Sequence, residues 1–343
     1  MTDNPFISAY KKCDIVMKGG ITSGIVYPRA VTRLANEYSF QSIGGTSAGA
    51  IAAAITAAAE YRRRHGLDVF AEVSRIPDWL GAASESAKGS NLFNLFQPQR
   101  SMTSLFRVAA AFLGYSGCGC FSRVASALWF EEGMGALPGM AVILLLWGSH
   151  RLSGLVLGGL IAIVGCLLGA AAGIALAAVH LPKQRFGLCT GYAEPRSGEP
   201  IALTEWLNNQ INALAGHSSE RPLTFGDLRR AGVTLKMIST CLTLGQPYTF
   251  PFDTNEFYFS PDEMRLYFPK SVVDWMVGHA ASAPPHRDPV DTTGFLPLPT
   301  GDDLPVIVAA RCSLSFPILF FAPFPCMRWI GPGAAAQRPK PLP

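Results

Sequence analysis

The stretch that decides the fold runs from Cys13 to His65: CDIVMKGGITSGIVYPRAVTRLANEYSFQSIGGTSAGAIAAAITAAAEYRRRH. Cys13–Lys18 reads as a short buried strand stopped by Gly19-Gly20. From Pro28 to Tyr38 the apolar residues Ala30, Val31, Leu34 and Ala35 recur at helical spacing, with Pro28 suited to a first turn. Phe40–Ile43 reads as a second strand, and Gly44-Gly45 ends it. The Ala-rich segment Ala48–His65 then reads as a helix. Arg62, Arg63 and Arg64 are cations on its last turn, and Gly66 is its stop. Strand, glycine turn, helix, repeated twice, predicts an α/β protein with a parallel sheet and a site at the strand ends.

Two constellations inside this stretch carry chemistry. Gly45-Thr46-Ser47-Ala48-Gly49 fits G-x-S-x-G, the sharp strand-to-helix turn that lifts a serine hydroxyl into a cleft. Its glycines let the backbone turn where a Cβ would clash, and the helix from Ala48 points its free N–H groups at the serine. Lys18-Gly19-Gly20-Ile21-Thr22-Ser23-Gly24 also follows a strand and precedes a helix. Closely spaced glycines leave N–H groups bare for an anion. The Gly-Lys-Ser/Thr ending of a nucleotide loop is missing, and the spacing is not G-x-G-x-x-G, so no nucleotide cofactor is expected. Two backbone cradles, one holding a serine, predict acyl transfer with an oxyanion hole.

These residues resemble the start of a patatin-like phospholipase domain, bacterial type. In that family a glycine-rich loop supplies the oxyanion hole and a G-x-S-x-G elbow follows. Gly19, Gly20 and Gly24 fall at family glycines, while Lys18, Ile21 and Ser23 depart from the pattern. Ala310-Arg311-Cys312-Ser313-Leu314-Ser315-Phe316-Pro317 resembles the family's A-x-x-A/S-x-x-x-P segment. The resemblance implies a three-layer α/β/α domain, Ser47 as nucleophile, and the amides of Gly19, Gly20 and Ala48 as the oxyanion hole. It implies a lipid or phospholipid ester as substrate. The family's base is an aspartate in an Asp-Gly-Gly or Asp-Gly-Ala turn, and no Asp in this chain precedes Gly. The expected account is a C-terminal end missing or replaced. Asp302 and Asp303 read as surface loop, and His279 and His286 lack an orienting acid. Two functions stay open: an acyl hydrolase, and a non-catalytic remnant that binds lipid or a membrane partner.

Further out, the chain changes character. It has 343 residues, 49% of them hydrophobic and 15% charged, against about 25% charge in a typical soluble domain. From Met134 to Val179 the only full charge is Arg151, and Leu152–Val179 is 28 uncharged residues. At about 1.5 Å per residue that suffices to span a hydrocarbon core of about 30 Å. Gly154, Gly158, Gly159, Gly165, Gly169 and Gly173 suit close helix packing in lipid. With Ala136–Ser149 as a first leg, the segment predicts a transmembrane hairpin turning at Gly148–Arg151. Lys183 and Arg185 then mark the cytoplasmic side, where the catalytic domain is expected.

The expected layout is an N-terminal part of the domain over 1–133, the hairpin over 134–181, a C-terminal part over 182–319, and an irregular tail over 320–343. In the third piece, Thr204 caps a helix through Leu214. Val233–Thr240, Glu256–Phe259 and Leu304–Ala309 read as strands. The strand before Ser47 and the one near Val306 are expected in one sheet, which requires an even number of membrane crossings between them. The net charge of +4 comes from Arg311, Arg328, Arg338 and Lys340 beyond the last acid, Asp303. No basic field suited to nucleic acid is left. Eight scattered cysteines with no Cys-x-x-Cys pair argue against a zinc site and for reduced thiols.

Overall fold

The computed structural model describes residues 10–20, 23–85, 89–98, 106, 141, 151–183, 187–193, 199–241, 245–252, 257–281, 294–299, 301–314, 318–320 and 327–329. The chain divides into two compact units, Met1–Gln97 with Thr190–Pro343, and Pro98–Cys189.

The larger unit is mixed α/β, built on a four-stranded sheet. Strand β1 (Lys11–Met17) leads to helix α1 (Ser23–Ala35), β2 (Tyr38–Thr46), α2 (Ala48–Arg64) and α3 (Phe70–Gly81). β2 pairs in parallel with β1 on one side and with β3 (Thr234–Cys241) on the other, and β4 (Gln246–Phe250) closes the sheet antiparallel to β3. The register aligns Met17, Gly45, Met237 and Phe250 across all four strands, and each is buried. Period-2 alternation sends the next rung to the other face, where Val16, Lys236 and Ile238 are exposed.

Helix α2 is the element around which the helical layer packs. Its alanines at 52–54 and 57–59 are buried, as an Ala-rich helix allows by letting neighbours approach closely. It contacts β2, α1, α5 (Leu203–Ala215) and α8 (Val306–Ser313). Its end differs from a simple solvated last turn. Glu60 is fully buried, accepts from Ser39 Oγ at 2.8 Å and is ion-paired with both Arg63 and Arg64. Arg63 donates to the carbonyls of Ala35 and Tyr38, and Arg64 to that of Phe40. The cations therefore stitch α2 to the α1–β2 connection, while Gly66 at φ 94° stops the helix as expected.

Four sequence expectations are corrected here. Leu304–Ala309 is not a strand: the chain is helical over α8, so the sheet partner downstream of Ser47 is β3. A short apolar run fits a buried helix as well as a strand. α1 begins at Ser23, placing Pro28 inside it rather than in its first turn. Thr204 lies within α5, whose N-cap is Ala202. The tail from 320 is not wholly irregular, since β7 (Met327–Trp329) pairs with β5 (Phe257–Phe259), itself paired with β6 (Leu296–Pro297).

In the smaller unit, α4 (Arg151–Lys183) is a helix of 33 residues. The expected second leg of the hairpin lies within it; the first leg, Ala136–Ser149, falls outside the described residues except for 141. Side chains of α4 are described without interruption only over 156–166, and among the described residues no helix is long and apolar enough to cross a membrane.

Candidate active site

β2 ends at Thr46 and α2 starts at Ala48, so Ser47 alone makes the turn between them. Its backbone sits at φ 53° and ψ −126°, a left-handed conformation that L residues avoid. The glycines around it are required by close approach. A Cβ on Gly45 would lie 2.3 Å from the Gly49 carbonyl oxygen, and one on Gly49 would lie 2.1 Å from that of Met17. The end of β1 therefore crosses directly over the first turn of α2.

That crossing brings the two predicted constellations together. A Cβ on Gly19 would fall 2.8 Å from Ser47 Cβ and 3.5 Å from Ser47 Oγ, so only a glycine fits beside the serine. The loop is tied down by Tyr27, whose hydroxyl donates to the Lys18 carbonyl at 2.9 Å. Gly19 N–H donates to Thr46 Oγ1 at 3.3 Å, which engages one of the three amides expected in the oxyanion hole. Gly20 and Ala48 belong to the same two turns, at the loop and at the first residue of α2. Gly24 lies in α1, and Ile21 and Thr22 fall outside the described residues.

Ser47 is half-buried, and no described residue hydrogen-bonds its Oγ. Its N–H donates to Ser313 Oγ at 3.0 Å. Sequence reasoning gave Ser313 no role, although it occupies the A/S position of the A-x-x-A/S-x-x-x-P segment; Ser315–Pro317 lie outside the described residues.

The alternative bases are held elsewhere. Asp302 pairs with Arg229 of α6 (Phe225–Arg230), and its carbonyl accepts from Gly226 N–H at 2.8 Å. The Asp303 carbonyl accepts from Trp275 Nε1 on α7 (Lys270–Gly278). His279 stacks on Trp275 with its Nδ1 at 2.9 Å from the Trp275 carbonyl oxygen, and His286 lies outside the described residues.

A half-exposed serine on a strained strand–helix turn, flanked by a glycine loop, has the parts of a nucleophile beside an anion cradle. Residues 15–119 match the family model described as patatin-like phospholipase. The chain is 38% identical over 344 residues to the RpoH suppressor of Rhizobium meliloti (strain 1021), an alignment covering 91% of this chain and 52% of that protein. It thus spans about half the length of that relative. No solved structure matches it. What is placed in this chain is a match to the patatin-like phospholipase family model over residues 15–119, which span both the glycine loop and the Ser47 turn.

Proposed function

We propose that the chain carries the nucleophile half of a lipid acyl hydrolase. Ser47 Oγ attacks the ester carbonyl as a base takes its proton; the ester C–O bond breaks, the alcohol leaves with that proton, and water then cleaves the acyl-enzyme to free the acid and restore Ser47. The amides of Gly20 and Ala48 hold the oxyanion, and Gly19 supplies the space that lets the loop reach the serine. The observation that carries this reading is the Gly19–Ser47 approach, closed to any side chain. Hydrolysis of a p-nitrophenyl acyl ester by wild type and Ser47→Ala tests it; loss of turnover in the variant supports it, and equal rates refute it.

One observation favours a second reading, in which the chain binds lipid without turning it over: no Asp-Gly pair occurs in the sequence. Stable folding with no turnover by wild type selects that reading.

The membrane association belongs to the same proposal. In α4, Val156, Leu160, Ile163 and Leu168 are each more than half exposed, an arrangement that water disfavours and lipid accepts. β2 and β3 share one sheet, so the polypeptide between them leaves and returns on the same side of any bilayer. Two crossings satisfy this, with the catalytic unit on the cytoplasmic side at Lys183 and Arg185.

A further inference from the structure

We infer that Ser313 is a positioning residue for Ser47, a role that rests on the reading of Ser47 as nucleophile. A serine hydroxyl has one proton to donate and lone pairs to accept. Ser313 uses both: it donates to the Ile238 carbonyl at 2.7 Å and accepts from Ser47 N–H at 3.0 Å. The two partners lie where β2 ends, since Thr46 is in register with Ile238 of β3. Past Thr46 the chain turns away from the ladder, and the hydroxyl links the departing Ser47 amide to the strand left behind. It therefore fixes the peptide plane entering a residue whose φ of 53° no regular element maintains.

The hydroxyl is itself held from several directions. Ser239 Oγ donates to the Cys312 carbonyl at 2.9 Å, and Arg311, buried in α8, donates to the Thr190 carbonyl at 2.9 Å. The C-terminal end of α8 is thus seated on β3 independently of Ser313. Removing the Ser313 hydroxyl consequently releases the elbow more than it releases the helix. An alignment error of about 1 Å at a reacting atom lowers rate by up to about a hundredfold, whereas a lost neutral hydrogen bond alone is worth about tenfold or less.

The test compares Ser313→Ala, Ser313→Thr and Ser239→Ala in the full chain, with two readouts. Amide exchange at Ser47 is expected to quicken about tenfold or more in Ser313→Ala and to return near wild type in Ser313→Thr. Ser239→Ala, which loosens the helix without touching Ser47, should leave that amide protected. The rate of labelling by a fluorophosphonate is expected to follow the same order. Unchanged exchange in Ser313→Ala, or equal quickening in Ser239→Ala, overturns the inference. A wild-type chain that takes no label overturns the nucleophile reading instead, while the exchange readout still decides whether Ser313 orders the turn.

Discussion

Ser47 is the single described non-glycine residue at positive φ, and the hydroxyl presented there is bought with backbone strain of about 1–3 kcal/mol. This gives the residue an unusual mutational signature. Ser47→Ala and Ser47→Gly both lose the hydroxyl, but only glycine relieves the strain. Offset by the greater flexibility of unfolded glycine, about 0.5–1 kcal/mol, the glycine variant should be more stable than the alanine variant by about 1 kcal/mol. Urea denaturation midpoints measure the difference; an alanine variant as stable as the glycine one contradicts a strained elbow. The residues around Ser47 were legible in the sequence because short-range sterics select them. Gly45, Gly49 and Gly19 stand where a Cβ would strike backbone or the serine. Ser313 was not legible as a partner of Ser47, because a hydrogen bond across 266 positions leaves no local pattern.

At the scale of elements, the alternation from β1 to α2 follows from glycine turns and an Ala-rich segment; the order is found as expected, except that β2 runs on through Gly44-Gly45 to Thr46 instead of ending before them. The misread helix α8 shows the limit: an apolar run says that a segment is buried, and its partners decide whether it is strand or helix. Arg63 and Arg64 show another limit, since only the fold reveals the buried Glu60 that receives them. The capping box of α6 carries a prediction. Burial pushes Asp227 up, but Thr224 N–H, the Thr224 hydroxyl and Arg230 together hold its carboxyl below the usual value. His217, beside Tyr61 and Arg221, is held below the usual imidazole value, first by burial and then by the Arg221 charge. Both groups bind protons less readily folded than unfolded, so both stabilise the fold at high pH and lose that contribution on acidification. Stability should fall from about pH 6.5 downward as unfolded His217 protonates, and again below about pH 3.9 for Asp227. Denaturation midpoints across pH measure this. His217→Gln should flatten the upper stage, and an unchanged profile contradicts the assignment.

Over the whole molecule, the chain carries both an α/β unit proposed to be catalytic and an apolar helix proposed to sit in lipid. A charge at the centre of a bilayer-inserted helix costs about 2.5–3.5 kcal/mol on insertion scales. Leu160→Arg with Ile163→Arg should therefore shift the full chain strongly from vesicles of phosphatidylcholine and phosphatidylglycerol to the aqueous fraction in flotation. Equal flotation of the wild type and the double variant contradicts the lipid placement. The central claim, that Ser47 is a reactive nucleophile, meets its most direct test in the intact mass of the full chain after exposure to a fluorophosphonate. The account predicts one adduct, mapped to the peptide containing Ser47 and absent from Ser47→Ala. No adduct, or one that persists in Ser47→Ala, contradicts it.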